Sequence, residues 1–200
     1  MNLLLFSDLH CDADAARRLL SLARGCDAAV GAGDFATCRR DIHVTIDVLA
    51  SLTIPTVLVP GNAESFEELR HACENWKTAH VLHGTGATIA GVEFFGLGGA
   101  VPETPFGAWS YDLSEQQAAE LLADCPTGGV LVSHSPPKGT LDVSGNGENI
   151  GSESVRDVMQ SRRPRLLVCG HIHACAGRHE TVGPTTVVNA GPNGVIWELT

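Results

Sequence analysis

Along the first third of the chain, apolar and polar positions come in blocks. Short apolar runs at Leu3 to Phe6, Ala28 to Val30 and Thr56 to Val59 are separated by stretches whose apolar residues recur at helical spacing, near Asp14 to Ala23 and Asp41 to Leu52. Gly25 closes the first helical stretch and Pro55 leads into the third run; Ser65 with Glu68 forms a capping box that opens a further helix. This is the order of strands and helices in βαβ units. Each predicted strand ends at a polar, mostly Gly-containing loop: Asp8-Leu9-His10, Gly33-Asp34 and Gly61-Asn62. In open α/β sheets the carboxyl ends of strands are where ligands bind.

The middle of the chain changes character. Val81-Leu82, Thr88-Ile89 and Val92 to Leu97 follow one another with only Gly-rich turns between them, which predicts antiparallel pairing. A helix from Ser114, boxed by Gln117, precedes the strand Val130 to Ser133; another near Ser152 to Gln160 ends before Pro164 and leads into Leu166 to Cys169. Thr185 to Val188 and Gly194 to Leu199, separated by Asn189 to Asn193, predict a closing hairpin. The expected fold class is α/β, two packed mixed β-sheets flanked by helices.

Length and charge narrow the picture. A chain of 200 residues suits one domain, 1–200, with its own core. With 23 Asp and Glu against 13 Lys and Arg, a net charge of −10 opposes stable binding to nucleic acid or anionic lipid. Met1 to Phe6 carries no basic flank, and its apolar run stops at Ser7-Asp8, too short for a signal or a membrane span. The seven cysteines are scattered and form no C-x-x-C pair, so reduced thiols are expected and the expected location is the cytoplasm.

Asp8, His10, Asp34, Asn62, His134, His171 and His173 all lie just beyond predicted strands. Singly, each has a plainer use: Asp and Asn cap helices and make turns, and buried histidines find ordinary partners. Together they form an oxygen and imidazole set suited to Mn, Fe or Zn rather than Mg or Ca. Seven groups are too many for one ion. Two ions bridged by a carboxylate such as Asp34 form the arrangement, roughly 3.5 to 4 Å apart, that clamps both oxygens of a displacement at phosphorus.

These blocks, Asp8-Leu9-His10, Gly33-Asp34, Gly61-Asn62-Ala63-Glu64, the isolated His134 and Gly170-His171-Ile172-His173, resemble the calcineurin-like metallophosphoesterases. His134 to Gly139, Asn149-Ile150-Gly151 and Val188-Asn189-Ala190-Gly191 look most like its small phosphodiesterase-like branch. The resemblance implies a four-layer α/β/β/α sandwich and two divalent cations. One would be held by Asp8, His10, Asp34 and His173, the other by Asp34, Asn62, His134 and His171, with Asp34, Asn62 and His134 carrying catalysis. It implies a phosphodiesterase in which a hydroxide between the ions attacks phosphorus in line. The alternatives are a phosphomonoesterase or nucleotide pyrophosphatase on the same site, and a non-catalytic metal-binding interaction module.

One position departs from the family pattern. Where the motif commonly has a His after Asn62, proposed to protonate the leaving oxygen, this chain has Ala63, which can donate nothing. His43 and His83 are the candidate replacements. Besides Asn62, the cations Arg39, Lys138 and Arg178 follow the loops of interest and are candidates to bind a small phosphoester, a nucleotide among them. Trp109 and Tyr111 lie in a loop where an aromatic can stack on a base or aryl group, although core packing is the plainer use. Oligomeric state stays open, a homodimer among the options.

Overall fold

The computed structural model describes residues 1–200 as eleven strands and five α-helices. The first half alternates: β1 (Asn2–Phe6), α1 (Ala13–Leu22), β2 (Ala28–Gly31), α2 (His43–Leu49), β3 (Thr56–Leu58), α3 (Phe66–Ala72) and β4 (Ala79–Val81). The second continues through β5 (Thr85–Ile89), β6 (Val92–Leu97), α4 (Glu115–Leu121), β7 (Val130–Ser133), α5 (Glu153–Arg162), β8 (Leu166–Cys169), β9 (His179–Val182), β10 (Thr185–Asn189) and β11 (Val195–Glu198). Helix starts follow their caps. Asp12 accepts from the Asp14 and Ala15 amides, Ser65 with Glu68 and Ser114 with Gln117 close capping boxes, and Ser152 accepts from the Val155 amide. Before Pro164, Arg163 turns left-handed and ends α5.

The strands form two mixed sheets, ordered β11-β1-β2-β3-β4 and β5-β6-β7-β8-β10-β9. Their continuous apolar runs have two buried faces to satisfy. Leu3 and Leu5 of β1 join Val30, Val57, Phe94, Val132 and Val168 in the core between the sheets. Leu4 and Phe6, on the other face of β1, pack on Ala16, Leu19, Ile46 and Leu69 of the first three helices. Phe95, Leu131 and Leu167 do the same on the far side, against Ala118, Leu122, Val155 and Met159 of α4 and α5. The result is the expected α/β/β/α sandwich, with the carboxyl ends of β1, β2, β3, β7 and β8 gathered along one edge.

Two pairings differ from expectation. Thr85–Ile89 and Val92–Leu97 do pair antiparallel, but β4 runs parallel to β3 and ends the first sheet. The closing hairpin does not form. Thr185–Asn189 lies in the second sheet between β8 and β9, while Val195–Glu198 lies antiparallel to β1 in the first. Non-local pairing prevails because β11 covers the otherwise open edge of β1, and Thr185–Asn189 already has a local partner across the Gly183 turn. The crossing segment is pinned between sheets, with Ser7 N–H donating to the Gly191 carbonyl at 3.1 Å.

Candidate metal centre

The seven singled-out side chains leave their strands through sharp turns. Asp8, His10, Asp34 and His171 have φ of 56°, 43°, 58° and 64°, a left-handed conformation that non-glycine residues seldom adopt. Backbone bonds hold the turns: Asp8 N–H donates to the Gly33 carbonyl and His10 N–H to the Asp34 carbonyl, both at 2.9 Å. Gly61 is required by close approach, because a Cβ there would lie 2.1 Å from Asp34 Oδ1 and 2.2 Å from the Asp34 nitrogen. Strain of this kind persists where surrounding contacts over-determine the geometry.

The side chains meet in two groups, Asp8 with His10 and His173, and Asp34 with His134 and His171, each with its ligand-type atoms within 4.8 Å of one another. Asp34 stands between them. Its Oδ1 is 3.5 Å from His134 Nε2 and its Oδ2 is 3.5 Å from His10 Nε2. Asn62 Oδ1 adds a further acceptor 3.3 Å from His134 Nε2, and His10 Nε2 faces His173 Nε2 at 3.2 Å.

This donor set suits cations. His134 Nδ1 donates to the Ala32 carbonyl at 2.7 Å and His10 Nδ1 to the Ala36 carbonyl at 3.2 Å, which turns both Nε2 lone pairs inward. Asn62 Nδ2 donates to Ser110 Oγ at 2.9 Å, so its Oδ1 also points in. Asp8 is held by Ser7 Oγ at 2.5 Å and by the His171 N–H at 3.0 Å. Acceptor atoms converging across 3 to 4 Å need protons or cations between them, and two divalent ions fit this set.

The protonation pattern reflects the same excess of acceptors. Burial opposes charge on Asp34, but His134 and His10 beside it hold its pKa below the ordinary carboxylate range. Burial likewise pulls His134 down, yet the Asp34 carboxylate outweighs it and raises the imidazole to about 9. Burial and the neighbouring His134 charge lower His171 to about 4. Bonding to Asp8 raises His173, and Asp8 itself is lowered against its burial by His173 and His134.

Glu64 has a role that its place in the motif did not reveal. Fully buried, it accepts from the amides of Asp34 (2.9 Å), Ala36 (2.9 Å) and Gly61 (2.7 Å), tying the Asp34 loop to the Asn62 loop. Burial and the Asp34 charge raise it to about 7. Asn189 Nδ2 similarly donates to the Gly170 and Ile172 carbonyls and fixes the loop that carries His171 and His173.

A cavity of about 470 Å³ opens over both groups and touches Asn62, Ala63, Phe106, Trp109 and Ile150. No Lys or Arg lines it. Arg39 forms a forked bond to Glu68 at 2.6 and 2.9 Å and lines a separate pocket with His43. Lys138 and Arg178 also lie outside the cavity lining. His83 is engaged elsewhere, with Nδ1 accepting from Gly98 N–H and Nε2 meeting the Tyr111 hydroxyl. Trp109, half-buried, lines the cavity and belongs to none of the three apolar cores.

Comparison with known proteins adds the lineage. Residues 1–197 match the model of the calcineurin-like phosphoesterase superfamily domain. A UPF0046 protein of Caenorhabditis elegans is 34% identical over 105 residues, covering 49% of this chain and 26% of that protein, so the match spans about a quarter of the relative's length. Among solved structures, a Thermus thermophilus protein superposes with a TM-score of 0.76 at 20% identity, covering 96% of this chain and 90% of that one. A dimetal phosphatase from Danio rerio superposes at 0.63 with 13% identity, covering 94% and 86%. At these identities the structural matches speak to the fold. No helix is long and apolar enough to cross a membrane.

Proposed function

Because the chain belongs to the calcineurin-like phosphoesterase superfamily, we propose that it is a dinuclear-metal phosphoester hydrolase that acts on phosphodiesters. The observation that carries this reading is Asp34, which offers one oxygen to each histidine group at 3.5 Å. In this reading Asp8, His10, Asp34 and His173 hold one divalent cation, and Asp34, Asn62, His134 and His171 hold the other. When bound, the pair supplies Lewis-acid charge for in-line displacement at phosphorus.

The chain's own part is positioning and exclusion. Ala32, Ala36 and Ser110 fix which atoms of His134, His10 and Asn62 turn toward the cation sites, and Glu64 keeps the two central loops in register. Hydrolysis breaks the phosphorus–oxygen bond to the leaving group, forms one to the water oxygen and releases a proton. Ala63, 2% exposed, brings only a methyl group to the place where the family pattern commonly has a His. Leaving groups that depart without a proton are therefore favoured. A singly charged diester also suits a cavity without Lys or Arg better than a monoester dianion or a pyrophosphate does.

The test is turnover of bis-p-nitrophenyl phosphate against p-nitrophenyl phosphate by metal-stripped protein, with Mn²⁺, Zn²⁺, Fe²⁺ or Mg²⁺ returned in turn. Metal-dependent preference for the diester is the expected result. Preference for the monoester or for a pyrophosphate reassigns the substrate class. Absence of turnover with two ions bound per chain overturns the hydrolase reading in favour of an interaction module.

A further inference from the structure

The cavity wall opposite the histidines has a composition that hydrolysis at phosphorus does not itself call for. Phe106, 51% exposed, lies parallel to Trp109, with ring centroids 5.6 Å apart and an interplanar angle of 8°. Ile150, also exposed, lines the same cavity from the other loop. Trp109 is half-buried beneath this contact, and an aromatic surface left open to water in this way gains little from it, whereas base and aryl rings stack on such surfaces.

The pair is held in place by a braced loop. Asp112 accepts from Thr104 N–H and Oγ1 at 2.8 Å each and from Ser110 Oγ at 2.5 Å. The loop is fastened to the Asn62 turn twice, because Asn62 Nδ2 donates to Ser110 Oγ and Tyr111 N–H donates to the Asn62 carbonyl, both at 2.9 Å. The loop that carries the aromatic surface is therefore tied to Asn62, a side chain proposed to hold a cation. With no Lys or Arg in the lining, this wall offers stacking area and no counter-charge for a second phosphate.

Resting on the phosphodiesterase reading, we propose that Phe106 and Trp109, with Ile150 lining the same cavity, form an ester-group subsite that takes one flat, uncharged aromatic ring of the substrate. A nucleobase and a simple aryl group share that chemistry. The absence of a proton donor at Ala63 favours the aryl source as leaving group, since an aryl oxygen leaves more readily without protonation than the alkyl oxygen of a nucleoside does.

Binding tests this without turnover. The Mn²⁺-loaded protein is titrated calorimetrically with dimethylphosphinate, methyl(phenyl)phosphinate and the methylphosphinate that carries a 5′-deoxyadenosin-5′-yl group, singly charged ligands with no P–O ester bond to cleave, with Trp fluorescence followed in parallel. The expected result is at least about tenfold tighter binding of the phenyl or the adenosyl ligand than of the methyl one. Whichever aromatic ligand binds tighter identifies the source. Trp109→Ala and Phe106→Ala should each erase most of that preference while leaving the methyl ligand unchanged, and Trp109→Phe should keep most of it while losing the fluorescence response. Equal binding of all three ligands, or a preference that survives both alanine variants, overturns the subsite. A preference without hydrolysis of any ester would remove the hydrolase reading and leave the subsite standing; diester turnover without preference would do the reverse.

Discussion

The two ligand groups use the same chemistry in opposite surroundings. The His134 side chain is 0% exposed and Asp34's is 5%, whereas His10 and His173 are 33% and 64% exposed. In the inner group, His134 is fixed by the Ala32 carbonyl and Asn62 by Ser110. In the outer group, His173 sits on a one-turn 3-10 helix over His173–Cys175, and neither of its ring nitrogens bonds a carbonyl. The inner group is therefore organised before an ion arrives. The outer group depends on the ion to hold its most exposed member, so the proposed centre is one tight site beside one exchangeable site.

The sharpest way to break this contrast is at the residue both groups share. Asp34→Asn should lower turnover by at least about 10³-fold, since a bridging charge stabilises both ions and the developing phosphoryl charge by several kcal/mol. Metal content per chain, measured by plasma mass spectrometry, should fall for both ions together. A variant that keeps its turnover and both ions would show that Asp34 does not join the groups.

Next in size come the two histidines that exemplify the difference. His134→Ala should weaken the inner ion by more than the 10- to 100-fold typical of a supporting residue, because nothing else reaches that buried position. His173→Ala should fall within that range and be rescued by raising the metal concentration, because water can take its place. Equal losses in equilibrium dialysis would erase the distinction between tight and exchangeable sites.

The loops of both groups are legible in the sequence, Asp8 after β1 as much as Asp34 after β2. Asp34, Asn62 and His134 each follow an apolar run buried on both faces, and such runs announce both the strand and the loop at its end. What escaped was set by distant partners. His179–Val182 is largely exposed and carries little strand signal, so the sequence pattern does not predict β9 and pairs Thr185–Asn189 with the wrong companion. Arg39 looked free in one dimension, but Glu68, a helix away, already holds it. Glu64 was visible in its motif, yet its three amide partners exist only once two loops meet.

Proton competition sharpens the contrast further. In the metal-free protein His134 has a pKa of about 9, above its ordinary 6.5. A raised pKa means the fold favours the protonated form, so this contribution to stability is complete below pH 6.5 and is lost as pH rises through about 9. An ion must displace that proton from the nitrogen it binds. Inner-site affinity should therefore rise by up to about tenfold per pH unit until pH reaches about 9, then level off. Dialysis across this range checks it, and a flat profile would mean that no proton leaves His134 on loading.

The smallest effect should come from a residue that bears directly on the outer group alone. Ser7 Oγ donates to Asp8 Oδ2 at 2.5 Å and accepts from Gly191 N–H at 2.9 Å, fully buried. Ser7→Ala leaves Asp8 Oδ1 still held by the His171 N–H at 3.0 Å, so the carboxylate is loosened rather than freed. Outer-site affinity should drop about tenfold, the low end for a supporting residue, and stability by about 1 to 3 kcal/mol for the stranded amide. The inner ion should lose less, because His134 and Asn62 are held by Ala32 and Ser110 and the inner group reaches Ser7 only through the His171 N–H on Asp8. If Ser7→Ala loosened both ions equally, the groups would act as one unit and their difference in exposure would have no thermodynamic consequence.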